Sequence, residues 1–405
     1  MKSFAFIFVL SFIISLINAQ GIHVQGSKLL DADGNEFIFR GINLEHAWFV
    51  DKTKLSLNDI TSLGANSARI VLASGHKWTK TSYSELEKVI NYCEDEGLIC
   101  VFELHDFTGS NNPSDITTLA VEYWSEMKNL LNAHKKYAIV NIANEWLGSW
   151  NQGAIWTQTY ISAIKTLRAI GLENSIMVDA SGYGQESGPI IENAKNVLEA
   201  DPDKNIIFSY HVYAVLGKDK DSLYSQFDAL KNTGVCWIVG EFGWFHQGAD
   251  VAYKELMEYC QKNGIGWIAW SWSGNGGDDV VLDLTSKNTF SKNDLTDWGK
   301  DVFFGENGIQ KTSKKAYVKN DDNTTFDFCN GCEVTATDSN GNKWGFENGK
   351  SCKINTSKCK DSSEPEIAPN GFPYCSTCEV TAFSNDGTRW GWENNQSCVI
   401  NNSKC

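Results

Sequence analysis

From residue 37 to residue 303, short apolar runs rich in β-branched residues alternate with segments whose apolar positions recur at helical spacing. Strand-like runs are read at 37–43, 67–72, 98–105, 139–146, 175–179, 206–211, 237–243 and 266–272. Helix-like segments follow at 55–63, 83–96, 116–133, 154–170, 190–200, 223–232, 251–263 and 294–303. Alternation of this kind builds a parallel sheet covered by helices, and eight units in one chain predict a (β/α)8 barrel of the TIM type. The other arrangement for such a pattern, a doubly wound open sheet, would carry a glycine-rich phosphate turn after its first strand. Gly41-Ile42-Asn43 has no glycine repeat, so the barrel is preferred. Ahead of it, the turn signal at Leu29-Leu30-Asp31-Ala32-Asp33-Gly34-Asn35 predicts a short hairpin between 24–30 and 36–39.

Two of the runs end in a glutamate. Ile139-Val140-Asn141-Ile142-Ala143-Asn144-Glu145-Trp146 and Trp237-Ile238-Val239-Gly240-Glu241-Phe242-Gly243 each bring a carboxyl to the open end of the predicted barrel, where such folds keep their chemistry. Glycoside cleavage uses one protonated carboxyl at the leaving oxygen and one ionised carboxylate at the anomeric carbon. An apolar strand and Trp146 would raise the pKa of Glu145, which suits an acid/base. Arg69 and Tyr213 would hold Glu241 ionised as a nucleophile. Asn144 would meet the sugar 2-hydroxyl, Trp270 would stack under the ring, and His105 and His211 complete the shell. Either glutamate alone reads more simply as a surface or salt-bridged residue; the matched pair is what favours chemistry. Arg69 could equally pair with a structural carboxylate, and the two histidines could be packed and satisfied. Trp237 and Trp267 are expected in the core. Trp48, Trp78, Trp146, Trp150, Trp244 and Trp272 are candidate sugar platforms, since an indole matches the apolar C–H face of a sugar; half of them are expected to touch substrate. His105-Asp106 and His211-x-Tyr213 form no metal-ligand cluster, and neither HExxH nor Gly-x-Ser-x-Gly occurs, so no metal and no cofactor are expected.

The chain of 405 residues carries a formal net charge of −15, which argues against nucleic acid or an anionic membrane as partner. Lys2 followed by an apolar run to Ile17 and then Asn18-Ala19-Gln20 reads as a secretory signal, residues 1–19; an uncleaved anchor is the competing reading. A secreted monomer is expected. Secretion lets cysteines stay oxidised, and eight of the 12 crowd residues 329–405. Cys329, Cys332, Cys352 and Cys359 are spaced C-x2-C-x19-C-x6-C, and Cys375, Cys378, Cys398 and Cys405 repeat the spacing 46 residues later. Each copy is too small to fold on apolar burial alone, so two disulfides per copy are expected, with connectivity open. Zinc is the alternative, disfavoured because neither copy has a histidine. A calcium loop at residue 338 is rejected, because Lys343 and Gly349 stand where its glycine and glutamate belong. Cys93 with Cys100 and Cys236 with Cys260 could pair or remain free thiols. N-glycosylation sequons start at Asn323, Asn355, Asn395 and Asn401. The expected layout is a catalytic barrel at 20–319, linker 320–327, a first module 328–359, linker 360–371 and a second module 372–405.

Taken together, Gly41-Ile42-Asn43, Arg69-Ile70-Val71-Leu72, His105-Asp106, Asn144-Glu145, His211-Val212-Tyr213, Gly240-Glu241-Phe242-Gly243 and Ala269-Trp270-Ser271-Trp272 resemble glycoside hydrolase family 5. His46-Ala47-Trp48, Glu145-Trp146 with Gly148-Ser149-Trp150, and Ser273-Gly274-Asn275-Gly276 are similar to its bacterial endo-β-1,4-mannanase branch. Many cellulases of the family have proline after the acid/base, where this chain has Trp146. The resemblance implies a retaining, metal-independent hydrolase with Glu145 as acid/base and Glu241 as nucleophile. Arg69, His105, Asn144, His211, Tyr213 and Trp270 would surround them, with Trp48, Trp146 and Trp272 also on the substrate. β-1,4-Mannan would be the substrate, an endo-β-1,4-glucanase the alternative, and a barrel that binds sugar without activity a remote one. The tail, with Trp344-Gly345-Phe346-Glu347-Asn348 and Trp390-Gly391-Trp392-Glu393-Asn394, resembles dockerins of anaerobic gut fungi and carbohydrate-binding modules of family 10. That implies a scaffold protein as partner through Trp344, Trp390 and Trp392, or else polysaccharide binding.

Overall fold

A computed structural model describes residues 21–286, 288–316, 332–337, 343–347, 350–354, 368, 372–384, 387–393, 396–401 and 405. The chain divides into two compact units, residues 1–319 and 320–405. In the first, eight parallel strands form a closed barrel: β1 Arg40–Leu44, β2 Ser67–Leu72, β3 Ile99–Leu104, β4 Ala138–Asn141, β5 Ile176–Asp179, β6 Ile206–Val212, β7 Trp237–Phe242 and β8 Gly266–Ala269. Each strand pairs with the next, and β8 closes on β1. The helices between and after them are α1 Thr53–Ser62, α2 Tyr83–Glu96, α3 Val121–Ala133, α4 Gly153–Ala169, α5 Gly188–Glu199, α6 Lys220–Asn232, α7 Tyr253–Asn263 and α8 Asp297–Phe304. The (β/α)8 expectation holds. Ser82 caps α2 by accepting from the Glu85 N–H, and Gly97 ends it in the left-handed region.

Strand alternation sorts side chains into two cores. On β3, Cys100, Phe102 and Leu104 face the helices, while Ile99 and Val101 point inward with Ile139, Met177, Ile207, Ile238 and Ile268. Ile22, Leu29 and Phe37 pack against that inner layer and stopper the barrel from below. Higher along the same inward parity stand Arg69, Glu103, Asn141, Asp179 and His211, all buried. The interior is therefore apolar at its base and polar at its C-terminal end.

One irregularity matters to the site. The β6–β7 register runs Tyr210 with Val239, then His211 with Glu241, skipping Gly240. Strict alternation after outward Val239 would turn Glu241 toward the helices; the bulge turns it inward beside His211. Only glycine fits at the skipped position, because a Cβ on Gly240 would overlap Ser209 Oγ.

Several sequence expectations need correction. The hairpin turns at Gly26, φ 64°, between His23–Gln25 and Lys28–Leu30. The 31–35 segment is a loop organised by the Asp31 side chain, which accepts from the Asp33 and Asn35 N–H groups, and returns to a single bridge, Leu30 with Glu36. The third helix opens with a π-helical stretch, Asp115–Ala120. The fourth and eighth strands stop at Asn141 and Ala269, short of the predicted 146 and 272. The two cysteine pairs that the sequence left open part ways: Cys93–Cys100 is a disulfide, whereas Cys236 and Cys260 are buried free thiols.

Among the described residues of the second unit are two three-stranded antiparallel sheets. They have the same register: Ala336 pairs Trp344 in one, Ala382 pairs Trp390 in the other. In the second module Cys375–Cys398 and Cys378–Cys405 are disulfides, which removes these thiols from any zinc site. Glu393 accepts four hydrogen bonds from the hydroxyls and N–H groups of Thr377 and Ser376, and these bonds hold its carboxyl down to about 2. Cys332 is also disulfide-bonded. Cys329, Cys359 and the Cys352 side chain lie outside the described residues, as do residues 1–20, the linker 320–327 and the sequons at Asn323, Asn355 and Asn395. Among the described residues no helix is long and apolar enough to cross a membrane.

Candidate active site

Arg69 organises the polar end of the barrel. Its buried guanidinium donates to Glu241 Oε1 at 2.8 Å, Asn144 Oδ1 at 2.7 Å, Asn43 Oδ1 at 3.1 Å and Asp179 Oδ2 at 3.3 Å. It also donates twice to Asn141 Oδ1. Burial alone would lower its pKa, but Glu103, Asp179 and Glu241 outweigh burial and raise it, so it stays charged.

Glu241 is thereby fixed from two sides. Arg69 holds one oxygen, and the Tyr213 hydroxyl donates to the other at 2.8 Å. Burial, and then the Glu241 charge, raise the Tyr213 pKa, which keeps it a neutral donor. Glu145 follows the β4 strand by four residues and has φ 46°. This left-handed turn is uncommon for a side chain of its size. It is held by the Glu145 N–H donating to Asp179 Oδ2 at 2.9 Å and by the Gly109 N–H donating to the Glu145 carbonyl. Glu145 Oε1 lies 2.8 Å from His211 Nδ1. Burial, and then the Glu241 charge, raise the Glu145 carboxyl well above its usual range. Burial lowers His211 to about 4, so the imidazole is neutral.

One carboxyl oxygen of Glu145, one of Glu241 and a His211 nitrogen all lie within 4.8 Å of one another. Such a trio could offer ligands to a cation. Here the Arg69 guanidinium bonds Glu241 directly and would repel one, and His211 Nδ1 is already engaged by Glu145. The arrangement is one neutral carboxyl facing one paired carboxylate across a cleft of about 320 Å³.

The remaining predicted residues divide. Asn144, His105 and Trp270 line the cleft. Asn144 accepts from Arg69 and donates to Thr108 Oγ1. His105 contacts Glu103 at 2.9 Å and stacks on Trp270 with ring centres 5.7 Å apart. Trp270 Nε1 donates to Asn275 Oδ1. Trp48 is 37% exposed and meets His105 edge-on, as it does Trp78. Trp244 donates to the Val281 carbonyl, and Trp150 stands exposed at the rim. Trp146 and Trp272 are corrections: both are fully buried. Trp146 packs edge-on to Tyr160, and Trp272 to Phe303. Because their strands end early, the chain turns both indoles back toward the helices. Trp237 and Trp267 are in the core as expected.

Sequence reasoning missed Asn43, Glu103, Asn141 and Asp179. Asp179 had the same signal as the two glutamates, an acid closing an apolar strand. Glu103 and Asn141 each lie two residues beyond an inward apolar position, Val101 and Ile139, a parity that could have been counted. Glu45 was also missed. It is buried beside Ser273, and burial raises its carboxyl to about 8.

Comparison with known proteins agrees with this geometry. Residues 30–276 match the family model described as "Cellulase (glycosyl hydrolase family 5)", and residues 320–354 and 365–400 match "Cellulose or protein binding domain". The mannan endo-1,4-beta-mannosidase of Salipaludibacillus agaradhaerens is 40% identical over 303 residues, covering 75% of this chain and 97% of that protein. The enzyme of the same name from Cellvibrio japonicus is 35% identical over 347 residues, covering 83% and 80%. Among solved structures, the β-mannanase of Streptomyces thermolilacinus with mannohexaose is 38% identical with TM-score 0.69, covering 73% of this chain and 97% of that one. With a family match over more than half of its length and the paired carboxyls at the mouth of its barrel, the chain is a glycoside hydrolase and belongs to glycosyl hydrolase family 5.

Proposed function

We propose that this chain is a secreted, monomeric endo-β-1,4-mannanase that cleaves internal bonds of mannans with retention of configuration. Glu145, neutral in the resting site, protonates the leaving oxygen while Glu241 attacks the anomeric carbon. Glu145 then takes a proton from the water that hydrolyses the mannosyl–Glu241 ester. The observation that carries this reading is the approach of the two carboxyls to within 4.8 Å. A single-displacement enzyme keeps its carboxyls about 6.5–9.5 Å apart to admit a water. Arg69 and Tyr213 steady the Glu241 charge, and Asn144 meets the 2-hydroxyl. The choice of mannan rests on relatives at 35–40% identity that are named mannan endo-1,4-beta-mannosidase.

Reducing-end release from galactomannan, carboxymethylcellulose and xylan tests the substrate. Activity on galactomannan is expected; activity on the cellulose derivative alone would move the reading to an endo-β-1,4-glucanase with the same residues. Proton NMR of the first product tests the mechanism, since an inverted anomer would reject the double displacement. Glu241→Gln is expected to abolish turnover and spare binding.

The two C-terminal modules attach the enzyme to a scaffold protein, with Trp344, Trp390 and Trp392 as contact residues. Duplication behind an enzyme supports docking. A second reading, polysaccharide binding, is favoured by Trp392 and Phe346 at matching strand positions, 60% and 62% exposed. Depletion of the full chain by insoluble cellulose or mannan, lost in Trp392→Ala, would favour the second reading over the first.

A further inference from the structure

Behind Trp270 lies a polar network to which the catalytic cycle assigns no role. The Trp270 backbone is fixed on both sides: its N–H donates to the Phe242 carbonyl at 3.0 Å, and its carbonyl accepts from Trp298 Nε1. Those bonds place the backbone and leave the indole to turn about its own side-chain torsions. The edge of the ring is tied down by a hydrogen bond from Nε1 to Asn275 Oδ1 at 3.0 Å.

Asn275 presents that oxygen because the rest of its amide is committed. Its Nδ2 donates to Asp283 Oδ1 at 2.7 Å and to Ser271 Oγ at 2.9 Å, and its backbone N–H donates to the same Asp283 oxygen at 3.0 Å. An indole offers a donor and a carboxylate an acceptor, so an inverted amide would set donor against donor and acceptor against acceptor. The orientation of the amide is thus dictated from both sides. Asp283 and Ser271 are buried, and the loop closes at its base where the Ser271 N–H donates to the Leu282 carbonyl and the Leu284 N–H donates to the Ser271 carbonyl. Glu45 braces the network from the loop after β1. Its carboxyl meets the Ser271 side chain and accepts from the Ser273 N–H at 3.4 Å. Its backbone carbonyl accepts from the Trp48 and Phe49 N–H groups.

We propose that Asn275 is a positioning residue for the hydrolytic reaction: its side-chain carbonyl sets the tilt of the Trp270 indole against the sugar at the cleaved bond. The inference rests on the proposed role of Trp270 as the platform under that sugar. The ring of the sugar changes shape as its anomeric carbon approaches the oxocarbenium-like transition state. An indole at the wrong tilt therefore costs turnover more than binding. A plain loop staple would act on the fold whatever side chain stands at position 270. A positioning residue acts through the indole N–H.

A double-mutant cycle separates the two roles. kcat on mannohexaose is measured for the full chain, for Asn275→Ala, for Trp270→Phe, which keeps a ring and lacks the N–H, and for the double variant. Asn275→Ala is expected to lower kcat roughly tenfold in the wild-type background, with KM little changed, and to lower it no further in the Trp270→Phe background. Equal losses in both backgrounds, or full kcat in Asn275→Ala, overturn the proposal. Replacing Trp270 by 3-benzothienylalanine, whose sulfur stands where the indole has N–H, tests the same bond with Asn275, Ser271 and Asp283 untouched. It should reproduce the tenfold loss, and full kcat would again overturn the proposal. Wild-type kcat in Trp270→Phe would overturn the platform and the positioning role together. Cellohexaose is run in parallel: if the wild type acts on it alone, the mannan reading fails and the cycle on cellohexaose still decides the role of Asn275.

Discussion

The backbone N–H of Glu145 donates to Asp179 Oδ2 at 2.9 Å. The residue that sets the left-handed turn at Glu145 is thus an acid at the end of the neighbouring strand. Asp179 acts on Glu145 in two ways, by fixing its backbone and by adding negative charge that, after burial and Glu241, raises its carboxyl.

Asp179→Asn keeps an acceptor in place and removes that charge. Glu145 should then ionise more readily, and the basic limb of the kcat/KM profile on mannohexaose should move to lower pH. The sign follows because the acid form of Glu145 is needed and a nearby anion stabilises it. A basic limb that stays where it is would assign it to another group.

Tyr213→Phe deletes the only hydrogen bond from that hydroxyl to Glu241 Oε2 and keeps the ring against His246. Loss of a donor to a charged group is expected to lower kcat by roughly 10- to 100-fold. Thermal stability should change little. A variant with full kcat would show that Arg69 alone suffices to hold Glu241.

Glu45 links the site to the pH dependence of stability. Its carboxyl is raised from 4.5 to about 8, by burial first. A group with a higher folded than unfolded pKa contributes stability that is complete below 4.5 and is lost as pH rises toward 8. Glu45→Gln mimics the neutral form and should be more stable than wild type at pH 7, by on the order of 1–3 kcal/mol. The gap should vanish near pH 4. Buried His46 and His211, each lowered to about 4, act with the opposite sign in both proteins and cancel in the difference. Urea unfolding across this pH range measures it, and parallel curves for the two proteins would refute it.

Cys93 and Cys100 enclose a short loop between α2 and β3. Replacing both with alanine should destabilise the barrel by roughly 2–3 kcal/mol. Alkylation after denaturation without reductant should label the Cys236 and Cys260 peptides and leave the Cys93 and Cys100 peptides linked. Label on all four would reject the bridge.

Much of this molecule is written in local pattern. Eight apolar runs spaced by amphipathic segments leave little choice but a closed barrel, because a parallel strand buried on both faces needs helices outside and neighbours on both edges. The glutamates stand out because a charge ending an apolar strand must face either solvent or a partner. The 46-residue cysteine repeat announces small cross-linked modules in the same way. What sequence could not give is anything that depends on how strands meet. Trp146 and Trp272 look like strand-end platforms, yet the strands stop at Asn141 and Ala269 and the indoles go into the outer core. Glu241 reaches the cleft through a register slip at Gly240, which is a property of two strands and not of either one. Asp179, Glu103 and Asn141 join Arg69 from three different strands, where the buried guanidinium offers its charge and its donors to all three. The chain's own order thus determined the barrel and the two acids. Which buried polar groups share a proton, a charge or a cleft was decided by tertiary structure, since those energies depend on separation in space and on burial.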